Sequence, residues 1–218
     1  MEKILSKREQ NKAQKKKLFI EAAKKLFIQN GFEATSIDEV AQTAGLTKRT
    51  LYQYFTSKED LFYAIIMIEG QKLLKDYLAA FEKGKTALEK IHLGNQAHLR
   101  FYTDHPDMFR LLNYRPAAQS STDASPHFRE IANLEMIRME HFATIIEEGR
   151  TDGSISPGLD MKKAVFFAFY SAFSLLYTVS MSDDGVWNMM GIDKHDFLRF
   201  SFDVMTDAIA QCKNPEES

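Results

Sequence analysis

The chain has 218 residues, with 28 Lys and Arg against 30 Asp and Glu, 44% hydrophobic residues, five Pro and a single Cys. That length and apolar content suit one or two domains with a buried core, and exclude a collagen-like, low-complexity or largely disordered chain. Cys212 alone can form neither an internal disulfide nor a cysteine-based zinc cage, which suits a reducing cytoplasm, and the net charge of −2 counts at first against a nucleic-acid binder.

Helical periodicity dominates the chain, and an all-α fold is expected. Residues 1–17 are charged throughout, so no secretory signal is expected there. Lys3, Lys7, Arg8, Lys12, Lys15, Lys16 and Lys17 read as a basic arm suited to phosphate or minor-groove contact, with a solvated helix extension as the alternative. Leu18, Ala22 and Leu26, with Phe19, Ala23 and Phe27, fall four apart and predict a helix of about four turns, stopped at Asn30-Gly31. A short second helix follows, with Ser36 and Glu39 as its capping box and Ile37, Val40, Ala41 and Ala44 inward, ending at Gly45.

Thr47 caps a third helix of about two turns with Leu51 and Phe55 inward, and Leu46 is placed to staple onto Leu51. Ser57 caps a fourth helix running to about Lys83, with Glu59 and Asp60 in its first turn and Leu61, Phe62, Ile65 and Ile66 inward. Leu88, Ile91, Asn95, Leu99 and Tyr102 trace the face of the next helix, and Pro106 opens a short one to Tyr114. Residues 115–126 read as a loop, Phe128 to Glu148 as a helix, and Trp187 as part of a second loop. Asp160 caps the hydrophobic stretch Ala164 to Ser182. Its length is borderline for a bilayer, and Ser171, Ser174, Thr178 and Ser182 along one face favour a buried helix over a membrane span. The last helix is expected from Lys194 to Cys212, with a frayed tail from Asn214 to Ser218.

The informative segment is Ser36 to Lys58. Two short capped helices joined by a tight turn make a helix-turn-helix, whose second helix can enter the DNA major groove. Opposite Leu51 and Phe55 that helix offers Lys48, Arg49, Tyr52 and Gln53. Arg can fork onto guanine and Gln onto adenine, while Lys and Tyr reach phosphate oxygens. Thr47 and Lys48 add backbone N–H groups at a helix N-terminus. A helix pair of this kind also occurs as ordinary packing, but Tyr52, Gln53 and Tyr54 crowd a helix too short to bury them all.

The runs Gly31-Phe32-Glu33-Ala34-Thr35-Ser36-Ile37-Asp38-Glu39-Val40-Ala41, Ala44-Gly45-Leu46-Thr47-Lys48-Arg49-Thr50-Leu51-Tyr52-Gln53-Tyr54-Phe55 and Ser57-Lys58-Glu59-Asp60-Leu61 resemble the N-terminal signature of the TetR family of bacterial transcription regulators. The likeness covers about residues 14–65 and leaves the ligand open. It implies a three-helix DNA-binding domain over residues 1–56 and a helical ligand-binding and dimerisation domain over residues 57–218. It implies phosphate contact by Thr35 or Ser36, base and phosphate contacts by Thr47, Lys48, Arg49 and Thr50, and a backbone or base contact by Tyr52. Gln53 and Tyr54 are variable neighbours, and Lys58 is expected on phosphate. Arg49 departs from the family's usual small residue, which implies an added contact.

The resemblance further implies a cytoplasmic homodimer on a palindromic DNA operator, paired through the last two helices, and a repressor released by a small-molecule effector. Ala168, Ser171 and Ala172 would allow close helix approach, and Leu198, Ser201, Met205, Ala208 and Cys212 form a stripe on the final helix, although both helices could simply close the monomer core. With 17 Phe, 8 Tyr and 10 Met, the core could hold a hydrophobic or aromatic effector among Tyr102, Phe109, Tyr114, Phe142, Phe166 and Tyr170; the same residues suit plain packing. His98, one heptad before His105, is a further candidate for an anion or metal. No phosphate loop, H-E-x-x-H or nucleophile elbow occurs, so no catalytic residue, metal or cofactor is expected. A helical enzyme and an interaction module without DNA binding are the competing readings. The charge balance also divides: residues 1–55 hold 11 Lys and Arg against 6 Asp and Glu, net +5, leaving −7 for the remainder. A basic head on an acidic body lets only the head dock on DNA.

Overall fold

The computed structural model describes residues 6–114 and 126–210. Among these residues it contains ten α-helices and no β-strand beyond one isolated bridge between Ile155 and Ala210. The described residues pack as two units, one of residues 6–70, Tyr114 and residues 126–133, the other of residues 71–113 and 134–210.

In the first unit, α1 (Lys7–Asn30) begins well before its apolar face does. The Ser6 hydroxyl accepts from Glu9 N, and Ser6 N donates to the Glu9 carboxylate at 2.8 Å, a capping box that seeds the helix among the lysines. Lys7 to Lys17 are therefore the opening turns of α1 and not a separate arm, because no helix breaker separates this cap from Asn30; Lys3 lies outside the described residues. Gly31, at φ +82°, ends α1 in a conformation that L side chains rarely adopt. The second capping box forms as expected: Ser36 N donates to Glu39 Oε2 at 2.7 Å and opens α2 (Ile37–Thr43). After Gly45, at φ +67°, Thr47 caps α3 (Lys48–Leu51). This helix is shorter than two turns, although a helical bond from Phe55 N to Leu51 O (3.1 Å) carries the turn onward. Residues 58–70 of α4 (Lys58–Phe81) complete the unit, and Phe19, Phe27, Leu51, Phe55, Leu61, Phe62 and Ile65 fill its core. Around them, Phe32, Phe62 and Tyr114 meet ring to ring, and Asp60 pairs with His127 at 2.8 Å.

The second unit holds the rest of α4, α5 (Ala87–Asp104), α6 (Pro106–Asn113), α7 (Pro126–Asp152) from residue 134, α8 (Met161–Met181), α9 (Asp184–Met190) and α10 (Lys194–Asp207). One core cluster gathers Phe81, Ile91, Ile145, Ile146 and Ile155; another gathers Tyr102, Phe109, Leu176, Leu198 and Phe202. The segment around Trp187, expected as a loop, is helical: the Asp183 carboxylate accepts from Gly185 N at 2.7 Å, and the Trp187 indole donates to Ser182 Oγ and packs on Phe197. Local capping thus outweighs the polar look of that stretch. The last helix ends at Asp207, short of Cys212, and Cys212, residues 214–218 and most of the expected loop at 115–126 lie outside the described residues. The hydrophobic helix α8 is long and apolar enough to cross a membrane by length and composition. It is not buried all round: Ala164, Val165, Ala172, Leu176 and Val179 face the core, while Phe166, Phe167, Tyr170, Tyr177 and Met181 are exposed.

Candidate functional site

The helix-turn-helix presents one polar face. Leu51 and Phe55 are buried, which turns Lys48, Arg49, Tyr52 and Gln53 outward, as their spacing requires. Tyr52 is 49% exposed, and Arg49 makes no hydrogen bond or ion pair with the described residues. Lys48 is braced across the motif by Asp38 of α2 (Nζ–Oδ2 2.9 Å), a contact that also holds its ammonium above the ordinary lysine range. Thr47 accepts from Thr50 N at 3.2 Å and meets the Thr50 hydroxyl at 2.9 Å, so both threonines sit at the exposed start of α3. Ser36 is exposed at the start of α2, its hydroxyl 2.8 Å from Glu39. The exposed Lys7, Arg8, Lys12, Lys15 and Lys17 add positive charge along α1 of the same unit.

Three expected DNA contacts are placed otherwise. Thr35 is 1% exposed, and its hydroxyl donates to the Gly31 carbonyl at 2.8 Å and to Leu26 O, so it knits the α1–α2 turn and leaves Ser36 as the outward residue. Lys58 turns inward. Its ammonium donates to the carbonyls of Phe32 (2.8 Å), Thr35 (3.0 Å) and Glu33 (3.3 Å) and stands 4.3 Å from the Phe32 ring, which occupies all three of its donors. Nothing in the spacing of Lys58 signals this, because its acceptors lie more than twenty residues upstream. Tyr54 is half-buried with its ring 6.1 Å from Phe19.

The seven residues expected around an effector have different surroundings. Tyr102 and Phe109 meet edge to face within the second unit's core. Tyr114 belongs to the first unit, where its hydroxyl donates to Glu33 at 2.6 Å, a bond that pushes the phenol up to about 12. Phe166 and Tyr170 are 53% and 58% exposed and stack on each other, because the core-facing stripe of α8 runs through the positions beside them. His98 and Phe142 line one cavity, a space of about 20 Å³ among α4, α5, α7 and α8 that also touches Tyr77, Arg138, Phe169 and Phe173. His105 caps the end of α5, exposed and apart from His98, and no cluster of metal-ligating side chains occurs among the described residues. A larger cleft of about 460 Å³ opens between α5 and α10, walled by His92, Leu99, Arg100, His195 and Phe202. It went unseen in the sequence because it is made by two helices about a hundred residues apart.

On the two long helices α8 and α10, which α9 separates, the expected pairing residues divide: Leu198 faces the core, together with Phe202 and Thr206, because the buried stripe of α10 runs through these three positions. The exposed apolar face of α10 is instead carried by Phe200 and Val204, and that of α8 by Phe166, Tyr170, Tyr177 and Met181. Ala172 is buried within the unit. Ala168 and Ser171 on α8 and Ser201 and Met205 on α10 are partly buried, and Ala208 is exposed.

Residues 19–65 match the family model described as bacterial regulatory proteins, tetR family. The chain is 31% identical over 143 residues to the helix-turn-helix-type transcriptional regulator YhgD of Bacillus subtilis (strain 168), spanning 66% of this chain and 73% of that protein. It is 28% identical over 131 residues to the transcriptional regulator QacR of Staphylococcus aureus, spanning 60% and 68% of the two chains. Its fold is similar to that of FadR from Bacillus subtilis, a transcriptional regulator solved in complex with stearoyl-CoA, with a TM-score of 0.70, 20% identity, and coverage of 88% of this chain and 98% of that one.

Proposed function

Because the chain belongs to the TetR family of bacterial regulatory proteins, transcription regulators and not enzymes, we propose that it is a cytoplasmic repressor that binds a palindromic operator as a dimer and is released by a small-molecule effector. The observation that carries this reading is the outward face of α3, where Arg49, Tyr52 and Gln53 stand exposed beside a Lys48 that Asp38 holds in place. Arg49 and Gln53 carry the side chains that read base edges in the major groove, while Ser36, Thr47, Lys48, Thr50 and Tyr52 serve the phosphates. One such short helix offers few contacts, and a twofold dimer doubles them while setting half-sites about 34–36 Å apart or a multiple of that spacing.

The dimer forms through the exposed apolar face of α8 and α10, where Tyr170, Tyr177, Phe200 and Val204 would otherwise remain in water. The effector binds in the second unit and favours a spacing of the two α3 helices that no longer matches successive major grooves. Titration of the chain's own upstream DNA tests the reading. Affinity should fall linearly with salt on logarithmic axes, with a slope of about −0.9 per neutralised phosphate. Binding that is absent or indifferent to salt refutes it.

A further inference from the structure

Inside the second unit, a cluster of polar nitrogens sits among aromatic rings without the partners that burial demands. His98 is 4% exposed, and both of its ring nitrogens lack a hydrogen-bond partner among the described residues. The Gly94 carbonyl, one turn earlier on α5, gives the ring only a weak contact short of a hydrogen bond. Burial, reinforced by the nearby Arg138, pushes the imidazole down to about 3, so it is neutral and carries one N–H donor. Arg138 of α7 keeps 12% of its side chain exposed. Its guanidinium stands over the rings of both Phe169 (4.5 Å) and Phe173 (4.3 Å), which pack against each other, and its Nε is buried without a partner. The ion pair it makes is with Glu135 on its own helix, a side chain 40% exposed.

A buried polar group without a partner costs folding free energy, and more when charged, so a cage holding several of them is poor architecture unless something completes it. What completes it must accept hydrogen bonds, since Arg138 offers donors only. Negative charge suits it, since the ion pair Arg138 makes is with a Glu135 that is itself 40% exposed, and its buried Nε has no acceptor. Aromatic and aliphatic side chains make up most of the remaining wall, so the rest of the molecule must be apolar. A single planar charge fits the guanidinium fork, whereas a phosphate would bring more charge than one cation meets. We propose that this cage receives the carboxylate of an apolar effector, with Arg138 pairing its oxygens and His98 donating a ring N–H to it. The inference rests on the reading of the second unit as the effector-sensing half of a regulator.

Asn95 lines both the 20 Å³ cage and the 460 Å³ cleft between α5 and α10, so one side chain separates the two. It is tied to α10 by a bond from its amide to Thr206 Oγ1 at 3.1 Å, which an arriving ligand can exchange. Several polar side chains of the cleft are already paired, His92 with Gln96 and Thr103 with His195, and it lacks the buried unpartnered nitrogens of the cage. The cage holds about one water's volume, so binding requires Phe169 or Phe173 to move, which links occupancy of the cage to the packing of α7 against α8.

The test compares acids with amides of equal shape, benzoate against benzamide and 4-phenylbutanoate against 4-phenylbutanamide, by saturable thermal shift and calorimetry on the full chain. At least one acid should bind about tenfold or more tightly than its amide, the discrimination expected when a polar site would otherwise be left unpaired. Arg138→Met should abolish that preference while leaving the melting temperature equal or higher, since a nearly buried cation with few partners is not a stabilising feature. Should the methionine variant fail to fold, Arg138→Lys, which keeps the charge and loses the fork, should still narrow the preference severalfold. Equal affinity for acid and amide in both pairs, no saturable binding, or a preference unchanged in either folded variant overturns the proposal. Salt-dependent binding of the parent protein to its own upstream DNA is measured beside it. Its failure removes the regulator reading and leaves the acid preference standing as a separate result.

Discussion

Replacing Lys58 by Met separates a structural ammonium from a DNA-contacting one. The side chain keeps an unbranched apolar stem, one atom shorter, but loses the three donors that reach the carbonyls of Phe32, Thr35 and Glu33. Bonds from a charged donor contribute about 1.5–3 kcal/mol when sheltered. Two of these are part-buried and count for about 1 kcal/mol each after allowance for solvent, while the exposed 3.3 Å bond adds little. The Phe32 face at 4.3 Å contributes about 0.5 kcal/mol more. The variant should therefore lose about 2–3 kcal/mol, which for a chain of this length lowers the melting point by roughly 5–10 °C. Circular dichroism at 222 nm measures the melt, and DNA titration below the transition measures the salt slope. Because the ammonium faces carbonyls, the slope should not change. A normal melt with a slope reduced by about one unit would place Lys58 on a phosphate and refute the reasoning.

Arg49→Ala should change which sequence is preferred, costing about 1–3 kcal/mol at one base pair; selection from a randomised operator reads this, and unchanged selectivity would move Arg49 to the phosphate contacts. Val204→Asp together with Tyr170→Glu places charge on the exposed apolar face of α8 and α10, and should yield monomers by light scattering with loss of operator affinity; a surviving dimer would put the interface elsewhere. Burial alone would raise the Asp60 carboxyl, but bonds from His127 and Thr56 N (2.9 Å) hold it below its ordinary value of 3.8. A depressed folded value means that this stabilisation is present above 3.8 and disappears as pH falls through the lower folded value. Urea melts between pH 3 and 7 should thus show an acid loss in the parent that is smaller in Asp60→Asn, and identical profiles would dismiss the pair as a source of stability.

Much of the fold was legible because helix ends are local events. The capping box of Ser36 and Glu39, the Asp160 cap and the stops at Gly31 and Gly45 each use residues within four positions of one another. Where local signals conflicted, the reading failed. The lysines before Leu18 looked like an arm although Ser6 and Glu9 start a helix through them, and Trp187 looked like loop although Asp183 caps it. Within the site, Leu51 and Phe55 set the orientation of α3, so Lys48, Arg49, Tyr52 and Gln53 could be named from spacing alone.

By itself the sequence determined the helical class, the helix-turn-helix and its outward face, because periodicity and capping act over one or two turns of backbone. Only tertiary structure decided where Lys58 points, which side of α8 stays in solvent, and that Arg138 and His98 line one cavity. Those outcomes depend on which helices pack against which, and the partners come from segments tens of residues apart. A helical pattern tells which residues share a face, but the neighbouring helix decides whether that face is core, interface or binding site.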